Sequence, residues 1–186
     1  MNLHETTLEG VMLLEAKVLR DERGFFSESY SARTLKELGI DQVFVQDNHS
    51  RSVKGVLRGL HYQVGPPQAK LVQVITGAIF DVAVDIRRGS PTFGRWFGQT
   101  LSDQNRLQMY IPVGFAHGFC VLSDQADVVY KCSAHYAPTG DRGLAWDDPA
   151  IGIDWPVHDP ILSTRDRGHP LLEDSPPDFD YIPRAR

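Results

Sequence analysis

The chain has 186 residues, 41% of them hydrophobic and 23% charged, and a formal net charge of −5. That is one domain's length, enough to bury a core without disulfides or metal, and the composition excludes disordered and collagen-like chains. The acidic balance argues against nucleic acid as a partner and requires a local basic cluster for any anionic ligand. No uncharged apolar run reaches the length of a membrane helix. Residues 1–10 carry Glu5 and Glu9 and lack the apolar centre of a signal peptide. Two cysteines, Cys120 and Cys132, make no disulfide framework. Together these features predict a reduced, cytoplasmic protein.

In chain order, apolar residues recur mostly with a period of two. Residues 11–18 and 25–30 read as strands. Residues 31–39 read as a short helix, with Ser31 as N-cap and Gly39 as stop. Strands follow at 43–48, 56–64 and 70–75. In residues 80–86, Phe80, Val82, Val84 and Ile86 face one way and Asp81 and Asp85 the other, the pattern of a strand with one face in a core. Further strands are expected at 96–101, 108–111, 117–122 and 128–132, separated by turns such as Gly65-Pro66-Pro67 and Pro112-Val113-Gly114. Many short strands with closely spaced turns predict an all-β sandwich or barrel. The Pro- and Asp-rich segment from Asp148 is expected to wrap this core, with residues 176–186 loosely held.

No nucleotide-binding glycine motif, serine elbow or CxxC pair is present. Of the seven histidines, two sit in informative settings. His117 follows Pro112-Val113-Gly114-Phe115-Ala116, which resembles the PxGxxH half of the cupin signature. His61 lies in a predicted strand that resembles the other half in degraded form. Gln63 stands where a second histidine belongs, and Pro66-Pro67-Gln68 where a glutamate belongs. A catalytic metal needs three good protein ligands and an open position, so the pattern predicts a cupin-type jelly roll with no metal.

A more specific resemblance covers residues 10–172. It is carried by Phe44-Val45-Gln46-Asp47-Asn48-His49-Ser50, Lys54-Gly55-Val56-Leu57-Arg58-Gly59-Leu60-His61-Tyr62-Gln63 and Lys70-Leu71-Val72. It continues through Phe80-Asp81-Val82-Ala83-Val84-Asp85-Ile86-Arg87, Ser90-Pro91-Thr92-Phe93-Gly94, Gly114-Phe115-Ala116-His117-Gly118-Phe119, Tyr130-Lys131 and Trp146-Asp147-Asp148-Pro149. These blocks resemble the core of the dTDP-4-dehydrorhamnose 3,5-epimerase family. The resemblance implies a jelly-roll dimer that exchanges N-terminal strands, and needs neither cofactor nor metal. The implied reaction inverts C3 and C5 of dTDP-4-dehydro-6-deoxy-D-glucose to give dTDP-4-dehydro-L-rhamnose, in deoxysugar biosynthesis. Both carbons flank a carbonyl, so the chemistry needs a base on one face, an acid on the other and a group to hold the enolate.

By this resemblance His61 is the base, a role that suits an imidazole at neutral pH. Asp166 orients it, as in other His–Asp pairs. Tyr130 is the acid, with Tyr136 its rival, and Lys70 holds the enolate oxygen. Without the resemblance, the same residues read as a bonded strand histidine, a loop acid, a core aromatic and a surface lysine. The resemblance assigns substrate binding to Arg23, Phe26, Glu28, Gln46, Asn48, Arg58, His117, Asp141 and Arg165. The arginines suit a diphosphate, and Phe26 could stack on thymine. Asp141 and Arg165 stand where the family usually has Glu and Lys. Arg58 and His61, three apart, face opposite sides of a regular strand, so an irregularity at Gly59 is expected to turn them to one site; the other reading has one of them serving a partner subunit. Arg23 likewise serves its own chain or its partner's. The alternatives are a 3-only or 5-only epimerase, a metal-dependent cupin enzyme and a non-catalytic sugar-nucleotide binding module.

Overall fold

Period-two patterning commits most of the chain to strands. The computed structural model describes residues 1–183. The elements are β1 Asn2–His4, β2 Met12–Glu15, β3 Val18–Asp21, β4 Gly24–Ser27, α1 Ala32–Glu37, β5 Gln46–Val53, β6 Leu57–Gln63 and β7 Lys70–Thr76. They continue with β8 Ala78–Asp85, β9 Arg87–Arg88, β10 Trp96–Ser102, β11 Leu107–Ile111, β12 Phe115–Val121, β13 Gln125–Cys132, β14 Asp141–Gly143 and β15 Phe179–Asp180. Six strands form one sheet in the order β1-β2-β11-β7-β13-β5, and five form a second in the order β10-β8-β12-β6-β14. This is the all-β sandwich expected. Helix α1 also forms as read: Ser31 is extended and its Oγ accepts from Thr34 N, while Gly39 takes φ +90° beyond the last turn.

The two sheets pack face to face. Leu13, Val72, Val74 and Met109 from the six-stranded sheet meet Ile79, Ala83, Phe119 and Val121 from the other. A second apolar layer lies on the outer face of the five-stranded sheet, where Leu57, Tyr62, Val82 and Val84 pack against Leu144, Ile151 and Trp155. Each such aliphatic side chain contributes roughly 1.5–3 kcal/mol on burial. The layer carries the polypeptide past residue 144 across the sheet.

Three expectations need correction. The polar face of residues 80–86 does not meet water: Asp81 and Asp85 are fully buried on the face shared with Ile79 and Ala83. Period two reports which residues share a face, not what the face meets: Asp85 is offset by Arg87, Ser90 and Thr92, and Asp81 by His117 through Oδ1 alone. The strand read at 43–48 begins at Gln46 and runs on to Val53, because its outward side is polar and gave no apolar signal. The loosely held tail is pinned as far as Tyr181. There β15 pairs with β9, Tyr62 donates to Asp178 at 3.0 Å, and Tyr181 N donates to Arg88 O at 2.9 Å. The rest of that reading, from residue 184 on, lies outside the described residues.

The irregularity expected at Gly59 is present. Across β6 and β12, His117 is opposite His61 but Phe119 is opposite Arg58, so β6 carries one extra residue. Gly59 has φ +117°, and a Cβ there would lie 2.6 Å from both Gly118 Cα and His117 O. Only glycine fits. Gly59→Ala is therefore expected to destabilise the fold by at least about 1–3 kcal/mol. Gly168→Ala, where φ is ordinary and space is open, is expected to stay within about 0.5 kcal/mol of the parent. Urea unfolding of the two variants measures the difference.

Candidate active site

The bulge delivers Arg58 and His61 to one side of β6. They line an inner cavity of about 110 Å³ with Ser50, Lys70, His117, Phe119 and Tyr130. An outer cavity of about 240 Å³ shares His61, Lys70 and Tyr130 and adds Asn48, Gln63, Gln68, Tyr136, Asp141 and Arg165. A third cavity, about 370 Å³ and mostly apolar, lies under the C-terminal segment between Tyr62, Ile86, Leu144 and Leu172. It holds none of the expected acid–base groups.

His61 Nε2 lies 2.6 Å from Asp166 Oδ1. The partner is 105 residues away in sequence and opens a single 3-10 turn, Asp166–Gly168. Its backbone N–H donates to Ser163 Oγ at 3.0 Å. Burial alone would raise the Asp166 carboxyl, but the His61 hydrogen bond and charge hold it below the ordinary value. An ionised carboxylate only accepts, so His61 donates from Nε2 and its Nδ1 carries the free lone pair.

Lys70 is buried at the start of β7, its ammonium 3.4 Å from His61 O. Desolvation pushes its pKa down against the nearby Cys132, Asp141 and Asp81. His117 sits across from His61 with Nε2 2.7 Å from Asp81 Oδ1. Burial lowers His117, and the Asp81 carboxylate opposes the shift. Tyr130 sits opposite Asn48 in the β13–β5 ladder, and burial raises its phenol above the usual value. Arg58 donates from Nε to Ser52 Oγ at 3.0 Å. Gln46 donates to Asn48 Oδ1 at 2.9 Å and accepts from Tyr136 N.

At the mouth, Arg165 and Asp141 pair at 2.5 Å, and Tyr136 OH donates to Asp141 Oδ2 at 2.9 Å. Asp141 and Arg165 thus form a closed pair of opposite charges. Gln63, at the degraded metal position, spends its amide on Pro66 O, His135 O and Ala137 N. It is a loop clamp and not a free ligand.

Of the expected residues that line neither cavity, Gln46 and Asp166 bond to residues that do, and three stay away altogether. Arg23 pairs with Asp21 at 2.5 Å, Phe26 is 70% exposed, and Glu28 accepts from Thr34 Oγ1 at 3.4 Å. All three belong to or follow the β3–β4 hairpin, a two-stranded sheet separate from the sandwich. Two neighbours of the site escaped the sequence reading. Asp81 gave no signal beyond its place in an alternating strand. His169 packs edge-on against His61, its ring centre 5.6 Å away; its three-residue offset from Asp166 was the available clue.

Known proteins of one description resemble this chain along most of its length. A family model described as dTDP-4-dehydrorhamnose 3,5-epimerase matches residues 5–174. A dTDP-4-dehydrorhamnose 3,5-epimerase of Neisseria gonorrhoeae is 57% identical over 167 residues, 89% of this chain; the chain spans 51% of that protein's length. A Shigella flexneri protein of the same description is 54% identical, with 89% of this chain and 93% of the relative covered. Among solved structures, a dTDP-6-deoxy-D-glucose-3,5-epimerase from Legionella pneumophila, crystallised with dTDP-4-keto-L-rhamnose, superposes with a TM-score of 0.95. It is 49% identical, and the match covers 98% of this chain and 99% of that one.

The two site carboxylates Asp166 and Asp141 both have folded-state values below the ordinary one. Their contribution to stability is fully present above the unfolded value of about 3.9 and is lost as pH falls through the lowered values. Melting temperature is expected to drop as the solution is acidified below about pH 4, and Asp166→Asn is expected to flatten that acid limb. An unchanged slope in the variant would remove Asp166 from the account.

Proposed function

The chain belongs to the dTDP-4-dehydrorhamnose 3,5-epimerase family, and from that premise we propose that it inverts C3 and C5 of dTDP-4-dehydro-6-deoxy-D-glucose to give dTDP-4-dehydro-L-rhamnose. The observation that carries the reading is the cavity shared by the Asp166-held His61, the buried Lys70 and the protonated Tyr130. His61 Nδ1 takes the proton from the carbon beside the keto group, and the electron pair moves onto the C4 oxygen. The Lys70 ammonium faces that oxygen from a desolvated position, where a charge acts more strongly than in water. Tyr130, kept protonated by burial, donates its O–H proton to the opposite face of the same carbon. Solvent exchange resets imidazolium and tyrosinate, and the second carbon follows.

Arg58, His117, Asn48, Gln46, Asp141 and Arg165 are the substrate-binding groups in this reading. Arg58 supplies the positive charge that a diphosphate needs in an acidic protein. Arg23, Phe26 and Glu28 complete the site from the hairpin of a second copy, in a homodimer. Their absence from both cavities supports this, as does the exposure of Leu19, Phe25 and Phe26 on that hairpin. In the same reading the described residues form one jelly-roll unit wrapped by residues 149–183. It needs no cofactor and no metal, and Gln63, tied up as a clamp, supports the metal-free reading. A cytoplasmic location is supported by two buried, unpaired thiols. Among the described residues no helix is long and apolar enough to cross a membrane.

Nuclear magnetic resonance of the substrate in D2O tests the reaction. Deuterium and inversion at both C3 and C5 are expected; inversion at one carbon alone would make this a single-site epimerase. His61→Ala and Tyr130→Phe are each expected to lose about 10²–10⁴ in turnover, with Tyr130→Phe still exchanging deuterium. Tyr136→Phe is expected to lose less than about tenfold, since its hydroxyl serves Asp141; the reverse ranking would make Tyr136 the acid. For the shared site, mixed dimers of Arg23→Ala and His61→Ala chains should regain activity that neither variant has alone. No recovery would mean that Arg23 serves its own chain.

A further inference from the structure

His61, Asp166 and His169 bring three ligand atoms within 4.8 Å of one another. His61 Nε2 is 2.6 Å from Asp166 Oδ1, and His169 Nε2 is 3.6 Å from the same oxygen. Ligands held at about 2.0–2.2 Å around a tetrahedral ion stand roughly 3.3 Å apart. To reach that spacing an ion would spread the 2.6 Å His61–Asp166 pair and draw in atoms that now lie within 4.8 Å of one another. Two imidazoles and one carboxylate suit zinc and its neighbours in the transition series, not magnesium or calcium, which prefer oxygen.

A second observation concerns His169 itself. His169 Nε2 is buried with no hydrogen-bond partner, although its ring stands beside a carboxylate. An unmade bond at a buried polar atom is costly, and a metal ion would satisfy this one. The backbone also clears space for the ring. Gly143 lies opposite His61 in the β14–β6 ladder, and a Cβ there would come within 2.4 Å of the His169 imidazole. The nearby cation, Arg165, is neutralised by Asp141 at 2.5 Å. His61 is 31% exposed on its side chain, so solvent reaches this cluster.

We propose that His61, Asp166 and His169 form a binding site for a zinc-like divalent ion, and that filling it switches the enzyme off. The site is separate from the degraded cupin position, where Gln63 is committed to backbone groups. The chemistry of inhibition is simple. A metal on His61 Nε2 moves the ring proton from Nε2 to Nδ1, with none released. Nδ1 then has no lone pair to accept a proton from carbon, and Asp166 no longer orients the ring. The inhibitory half rests on the epimerase reading; the binding half does not.

The test uses the full chain after chelator treatment, with zinc chloride as the probe. Calorimetry is expected to show one zinc per chain, and cobalt chloride to give the absorption of a tetrahedral site. Turnover of the dTDP-sugar, followed directly by magnetic resonance, should fall with zinc occupancy and return with EDTA, while magnesium chloride has no effect. His169→Phe keeps an aromatic ring without ligand atoms and does not alter His61 or Asp166; His169→Gln is a second, smaller and polar variant. Both are expected to weaken zinc binding by about 10–100-fold or more. Unaltered zinc affinity in both variants, or no zinc bound by the parent, would overturn the site. Zinc bound at full activity would overturn the inhibition. A parent that binds zinc but turns over no sugar nucleotide would refute the epimerase reading and leave the metal site standing.

Discussion

At Gly59 and Gly118 the backbones of β6 and β12 come so close that no side chain fits between them. The contact goes with an extra residue in β6, and the joint placement of Arg58 and His61 follows from it. A regular strand would send Arg58 and His61 to opposite faces. The bulge turns both inward, where His61 stands across from His117 and beside Lys70. A backbone constraint of this kind is hard to relax by small steps. It holds a charged group and a base in one place without depending on a flexible loop.

The price of that arrangement is desolvation. Lys70, His117, Asp81 and Asp166 are all buried, and each carries a charge or a dipole that water would otherwise stabilise. The structure offsets this by pairing. Asp81 holds His117, Asp166 holds His61, and Asp141 holds Arg165. Lys70 has a weaker arrangement, a long contact to a carbonyl, which leaves its ammonium available to a developing oxyanion. In the proposed reaction this ammonium faces the oxygen where charge develops, a pattern that would favour the transition state over the resting state.

Much of this was legible in the sequence, for identifiable reasons. Alternating apolar residues located the longer strands but not the short β1, β3, β9, β14 and β15, Ser31 and Gly39 bounded the helix, and the three-residue offset of Arg58 from His61 around a glycine pointed to the bulge. The burial of Asp81 and Asp85 was not legible, because period two cannot tell water from a polar interior. The pinned tail was also missed: it depends on Tyr62, Asp178 and Arg88, which are far apart in sequence. The pairing of His61 with Asp166 came from family resemblance, since no local pattern links residues 105 apart. Arg23, Phe26 and Glu28 came from the same source, and a single chain leaves them outside the cavity.

The central claim is that His61 and Tyr130 address opposite faces of one sugar ring. A crystal structure of the protein with dTDP-4-dehydro-L-rhamnose tests it most directly. The account predicts the ring between the two side chains, with His61 Nδ1 at about 3–3.5 Å from C3 or C5, the C4 oxygen toward Lys70, and Arg23 of a second copy near the nucleotide. A sugar bound with His61 and Tyr130 on the same face, or lodged in the apolar cavity beside Tyr62 and Leu172, would contradict it.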